Sequence, residues 1–174
     1  MKATISANGK TVQVEMTEEQ AKILGLAEER SRTGYERGEV EETYYLVDVD
    51  DEITNMKHNG QLDRDCYDVG NYYSNKTIAE NNARADRLLR QLRQWQAQND
   101  EPISVEDWNN ESKKKWFIIY SYSSEEMYAE YYYIMRLPNT IYFATKEKAE
   151  EAIEVFRDEL LWYFVEYQQR LDEE

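Results

Sequence analysis

An α+β fold is predicted by three observations. Alternating runs flank an Asn-Gly pair near the start, two long stretches carry apolar residues at helical spacing, and strand-rich segments precede each of those stretches. The order read from the chain is an N-terminal β-hairpin plus helix (1–38), then two repeated β-β-β-α units (39–98 and 113–174). Their antiparallel sheets pack against long helices, and an acidic linker (99–112) joins the units.

In "KATISANGKTVQVEM", Asn8-Gly9 supplies the positive φ angles of a tight type I′ turn, so a hairpin is expected. "TEEQAKILGLAEERSR" opens with Thr17 as N-cap and Gln20 three positions on, the pattern of a capping box. Ala21 and Leu24, with Ile23 and Leu26 beside them, give this helix an apolar stripe that Gly25 weakens or ends. "TYYLVDV" is a strand by its aromatic and β-branched content, and "DEITNMKH" is a weaker one. "NGQLDRDCYDVG", bounded by glycines, reads as a loop, and "NYYSN" as a short strand end. The helix from Lys76 to Gln98 has its stripe at Ile78, Ala85, Leu88, Leu89, Leu92 and Trp95. After the Pro102-containing linker, "KWFIIYSY", "EMYAEYYYIMRL" and "TIYFAT" read as strands, with a turn at Pro138-Asn139. The last helix is expected from Lys146 to Arg170, about 40 Å long, with its main stripe at Ala149, Ala152, Ile153, Phe156, Leu160, Tyr163, Phe164 and Tyr167.

"YYSNKTIAE" lies over "YFATKEKAE" at a constant offset, pairing Tyr72 with Tyr142, Lys76 with Lys146 and Ala79 with Ala149. Asn75 and Thr145 fall at the equivalent N-cap place. The same unit is therefore read twice. Its charge changes between copies. Residues 76–98 hold five bases and two acids, residues 146–170 four bases and seven acids, and residues 39–70 ten acids and two bases.

The whole chain carries a formal charge of -15 from 36 acidic and 21 basic residues. That excess disfavours broad phosphate binding and favours a basic partner. The 13 % aromatic content, with 15 tyrosines, marks a folded chain rather than a disordered one. No run approaches the roughly 18 apolar residues of a membrane span, and the start alternates instead of forming a signal-peptide core. One cysteine, Cys66, precludes an internal disulfide and suits a reducing compartment.

Arg84, Arg87, Arg90 and Arg93, spaced i, i+3, form one slanted ridge on the first long helix. The ridge could grip phosphates, but the acidic field of the molecule opposes a polyanion. The favoured expectation is that the arginines pair internally, with Asp48, Asp50, Asp51, Asp63, Asp65 and Asp68 available in the same unit, or face an acidic protein surface.

No phosphate loop, dinucleotide fingerprint or nucleophile elbow occurs, and no pair of carboxylates stands out for hydrolysis. His58 with Cys66 is the one conceivable Cys-His pair, in a polar region that suits a chance association. Four Cys/His zinc ligands do not exist, and "DVDDE" lacks the central glycine of an EF-hand loop. No catalytic group, metal or cofactor is therefore expected. In "AEYYYIMRL", Tyr131 and Tyr133 would face one side of a strand, Tyr132 and Ile134 the other. Trp162, Val155 and Leu161 lie off the main stripe of the last helix and are candidates to cover the other repeat or a second copy in a homodimer.

The runs "TGYERGEVEETYY", "GNYYSNKTIAENNARADRLLRQLRQW" and "IYFATKEKAEEAIEVFRDELLWYFVEY" together resemble small acidic proteins of phages and mobile elements of Gram-positive bacteria, a group that includes anti-CRISPR proteins. The resemblance spans most of the chain and its motifs are structural, so no functional residue is carried over. It implies a non-enzymatic inhibitor of a Cas9-type nuclease or its guide-RNA complex, acting in the bacterial cytoplasm without membrane or direct DNA binding. Such nucleases hold nucleic acid in positively charged channels. Clustered carboxylates that stand in for DNA phosphates suit such a channel. The candidates are Asp48, Asp50, Asp51, Glu52, Asp63, Asp65 and Asp68, with a second set at Glu147, Glu151, Glu154 and Asp158. Two alternatives stay open: a nucleic-acid or guide-RNA binder using the arginine ridge, and a phage structural or assembly protein.

Overall fold

A computed structural model describes residues 2–7, 10–15, 17, 20, 23 and 32–173. The chain divides into two compact units, Met1–Thr33 and Gly34–Glu174.

In the first unit, β1 (Lys2–Ala7) and β2 (Lys10–Glu15) pair antiparallel in the register Ala7↔Lys10. The Asn8-Gly9 turn lies outside the described residues, as does most of the helix expected after Thr17. The capping box is present: the Gln20 N–H donates to Thr17 Oγ1 at 3.2 Å, and the Thr17 N–H donates to Gln20 Oε1 at 3.0 Å.

The second unit begins with the hairpin of β3 (Thr43–Val47) and β4 (Ile53–Lys57), in register Tyr45↔Asn55. The glycine-bounded stretch expected as a loop is instead a helix, α1 (Gln61–Asp68). Its glycines bracket it. The Asp63 side chain accepts from the N–H groups of Asn59 and Gly60, both at 2.5 Å, closing the first turn. At the other end Gly70, at φ 75°, donates to the Tyr67 carbonyl while Asn71 donates to that of Cys66. That pair of bonds is a Schellman ending, and it needs a left-handed residue.

The long helix α2 (Lys76–Asn99) starts where expected, with Asn75 Oδ1 accepting from the Ile78 N–H at 3.1 Å. It buries Ile78, Ala79, Ala83, Ala85, Leu88 and Leu92. Within the stretch read as linker, Ser104 and Asp107 form a reciprocal cap around α3 (Val105–Asn109). The second hairpin joins β5 (Lys115–Ser121) to β6 (Glu126–Tyr132), with Ile118 opposite Ala129.

Two expected strands shrink to single residues. Tyr73 exchanges both backbone bonds with Tyr45, at 2.8 and 2.9 Å, and Phe143 does the same with Trp116, at 3.0 and 2.7 Å. The N-caps Asn75 and Thr145 follow two residues later, so the chain turns into a helix before a ladder can extend. β6 also stops short of the expected length. Lys115, fully buried, donates its ammonium to the carbonyls of Asn110 and Tyr133, and the Leu137 N–H donates to the Tyr142 hydroxyl, which bends residues 133–137 away.

The last helix is broken at Phe156 (φ -112°, ψ 20°) into α4 (Lys146–Val155) and α5 (Arg157–Val165). Phe156 packs edge-on against Trp95 of α2, with ring centroids 6.5 Å apart. Residues 166–170 are not helical. Tyr167 instead donates its hydroxyl to Asn82 Oδ1 at 2.9 Å, and Asn81 donates to the Gln168 carbonyl at 3.0 Å.

Two apolar cores result. Tyr73, Ile78 and Ala79 form the smaller one, flanked by Tyr35, Tyr45, Val47, Ile53 and Leu171. The larger joins Leu88 and Leu92 of α2 to Ala129, Phe143, Ala149, Ala152, Ile153 and Leu160.

Candidate interaction surface

Three of the four ridge arginines are held inside the unit. Arg84 makes a bidentate pair with Glu159 of α5, Nε to Oε2 at 2.9 Å and Nη2 to Oε1 at 3.0 Å. Its guanidinium lies 3.9 Å from the centroid of the Trp162 ring, a stacking that suits a planar cation. The Arg84 side chain holds the Glu159 carboxyl below its usual range, and Glu159 in turn raises Arg84.

Arg87 and Arg90 converge on Asp51. Arg87 Nε lies 3.2 Å from Asp51 Oδ2, and Arg90 Nη2 reaches both carboxylate oxygens at 2.6 and 2.5 Å. Asp51 sits at φ 61° in the β3–β4 turn, a conformation aspartate tolerates better than most residues. Desolvation pushes its carboxyl up, but the two guanidinium partners bring it below the usual range. A cleft of about 490 Å³ between hairpin and helix is lined by Asp51, Glu80, Arg84, Arg87 and Glu159, so both signs of charge meet there. Arg93 is the exception. It is exposed and, among the described residues, has no carboxylate partner.

The expected acidic cluster loses two members to structural duty. Asp51 serves the arginines. Asp63 is buried: it takes the Tyr44 hydroxyl at 2.9 Å besides its two backbone donors. The Gly60 N–H chiefly, against the cost of burial, holds its carboxyl below the usual range. Asp48, Asp50, Glu52, Asp65 and Asp68 remain exposed and without an ion-pair partner among the described residues. In the second set Glu151 pairs with Lys148 at 2.6 Å and Glu154 with Arg157, which leaves Glu147 and Asp158 exposed and without an ion-pair partner among the described residues.

His58 Nδ1 lies 4.0 Å from Asp63 Oδ2 and 3.4 Å from the Tyr72 hydroxyl. Cys66 is half-buried on α1, and burial pushes its thiol up, the opposite of what a nucleophilic thiolate needs. Among the described residues no group of three or more His, Cys, Asp or Glu side chains is placed to hold a metal ion, and no helix is long and apolar enough to cross a membrane.

Trp162, expected to cover the other repeat or a second copy, is buried beneath Arg84 of α2. Val155 and Leu161 are exposed. Tyr131 pairs with Trp116 and Tyr132 with Phe117, each at 4.9 Å, so both faces of the second hairpin are aromatic. Two residues escaped the sequence reading. Glu159 lies one helical turn before Tyr163 of the apolar stripe, a spacing that places it beside α2. Arg136 stands in the stretch expected to be strand; in the structure its guanidinium lies 5.2 Å from the Trp108 ring centroid.

Comparison with family models, with curated proteins and with solved structures finds no match.

Proposed function

We propose that this chain is a non-enzymatic anti-CRISPR protein that binds a Cas9-type nuclease, or its guide-RNA complex, and occupies a cationic nucleic-acid channel with exposed carboxylates. The observation that carries the reading is the contrast between cations and anions. Three of four ridge arginines are internally compensated, while Asp48, Asp50, Glu52, Asp65 and Asp68 face solvent without a counter-charge among the described residues. Glu147 and Asp158 offer a second contact. A chain of formal charge -15 is drawn to a basic groove and repelled by free nucleic acid. Inhibition takes place in the bacterial cytoplasm, where the nuclease works.

The same reading extends to the architecture. Residues 39–98 and 113–174 are copies of one β-β-β-α unit, a duplication supported by the matching backbone bridges and N-caps.

The test is a charge-reversal variant with Asp48, Asp50, Glu52 and Asp65 changed to lysine, assayed for inhibition of purified nuclease and checked by circular dichroism. Loss of inhibition with an unchanged spectrum is expected, and wild-type inhibition should weaken with salt. Undiminished inhibition removes the phosphate-mimic idea. A gel shift of naked RNA or DNA by the wild-type chain would favour the ridge-based alternative instead.

A further inference from the structure

Arg93 and Arg136 line one open cleft, with Leu137, Pro138, Asn139 and Thr140 as its floor. Neither guanidinium has a carboxylate partner among the described residues, in a chain with 36 acids to 21 bases. Arg136 is pre-positioned by the Trp108 ring, and its loop is anchored through the Leu137 N–H on the Tyr142 hydroxyl at 2.9 Å.

Pro138, Asn139 and Thr140 are also one wall of a second cavity, of about 220 Å³. Its other walls are apolar: Leu89 and Leu92 of α2, Ile118, Phe143, Leu160 and Phe164. Leu89, Leu92 and Arg93 are spaced i, i+3, i+4, so α2 presents the apolar wall and the cation on one side. The volume exceeds the roughly 150 Å³ of an apolar cavity able to take benzene. An apolar chamber and a doubly cationic cleft thus share a wall.

From this juxtaposition we infer a binding site for a small amphiphilic carboxylate, its hydrocarbon body in the Leu89–Leu92–Phe143 chamber and its carboxylate between Arg93 and Arg136. The body supplies affinity by leaving water. The two planar cations select an anionic head over a neutral one, because each can donate paired N–H groups to a carboxylate. The site needs no other partner and stands independently of the nuclease reading.

Calorimetric titration of the full chain with octanoate, 1-octanol and inorganic phosphate tests it. Octanoate should bind about tenfold more tightly than octanol, the change expected for one charge-assisted hydrogen bond. Arg93→Gln and Arg136→Gln should each bring octanoate toward the octanol value and leave octanol unchanged, and Leu89→Trp should remove binding of both. Both arginines are exposed, so those two variants decide the matter even if Leu89→Trp fails to fold. Equal affinity for octanoate and octanol, arginine variants that bind like wild type, or phosphate binding at Arg93 without octanoate binding would each overturn the assignment.

Discussion

The β3–β4 hairpin with the start of α2, and the β5–β6 hairpin with α4, share a local frame and differ in what holds it. In both, a strand residue exchanges backbone bonds with an aromatic residue two positions before an N-cap, Tyr45 with Tyr73 and Trp116 with Phe143. In both, the tyrosine just before that aromatic is buried and its hydroxyl accepts from a backbone N–H outside the strand, from that of Gly38, far back in the chain, at 3.0 Å and from that of Leu137, five residues earlier, at 2.9 Å. Both helices open with a Lys-Glu pair at i, i+4, Lys76–Glu80 and Lys146–Glu150, each at 2.9 Å. The connecting turns differ. The first is fastened by charge, through Asp51 on Arg87 and Arg90; the second by an aromatic, with Tyr122 donating to the Phe164 carbonyl. The first hairpin rests on a core of three buried residues, the second on one of eight. Shared short-range signals thus set the frame, while side-chain chemistry decides how firmly each hairpin is closed.

The largest break in this comparison is expected from truncating the buried aromatic of the stronger half. Phe143→Ala should cost about 3–5 kcal/mol by cavity formation, read from the shift in denaturant midpoint. Ile78→Ala, the fully buried aliphatic of the weaker half, should cost about 2–5 kcal/mol. A smaller effect, about 1–3 kcal/mol, is expected for Gly34→Ala. Gly34 is at φ 96°, and a β-carbon there would stand 2.7 Å from Ile78 Cγ1. Equal midpoints for wild type and Gly34→Ala would mean that this corner of the first half relaxes freely.

A pH series sharpens the contrast further. Burial pushes Tyr73 up to about 12, and burial with Asp63 alongside raises Tyr44 as well. Raised phenols contribute stability that is complete below the ordinary phenol range, about pH 10, and is lost as pH climbs through the folded value. Stability should therefore fall above pH 10, and Tyr44→Phe should flatten that fall while lowering the midpoint at neutral pH. On the acid side, Lys113 and the Ser104 cap hold Asp107 down to about 2, and Asp51, Asp63 and Glu159 are lowered too. Depressed carboxyls contribute stability above their unfolded range, lost as pH drops below about 4. The smallest expected effect is that of Asp51→Asn. It should raise amide exchange in β3–β4 more at low salt than at high salt and leave β5–β6 unchanged, because the pairs it breaks are partly exposed.

Much of the second unit was legible in the sequence where the signal is local. Asn75 and Thr145 mark helix starts, and the spacing from Ile78 to Leu92 marks the buried face of α2. What failed was governed by distant partners. Gly60 and Gly70 read as loop markers, yet they cap α1, a role visible once Asp63 is seen to meet Tyr44. The unbroken apolar pattern from Ala149 to Tyr167 gives no sign of the break at Phe156, where packing on Trp95 outweighs helix continuation. The acidic candidates were legible as a group but not one by one. Nothing in the letters separates Asp51 and Asp63, which are structural, from Asp50 and Asp65, which face solvent.

The return of residues 167–171 onto the beginning of α2 bears on how this chain emerges from a ribosome. Tyr167 reaches back to Asn82, and Leu171 packs beside Tyr73, Ile78 and Ala79. The earlier-made hairpin therefore waits, incompletely sealed, until nearly a hundred further residues have been translated. Closing loops of that span slows folding. In the interval, exposed Tyr35 and Tyr73 would be a natural stop for a chaperone.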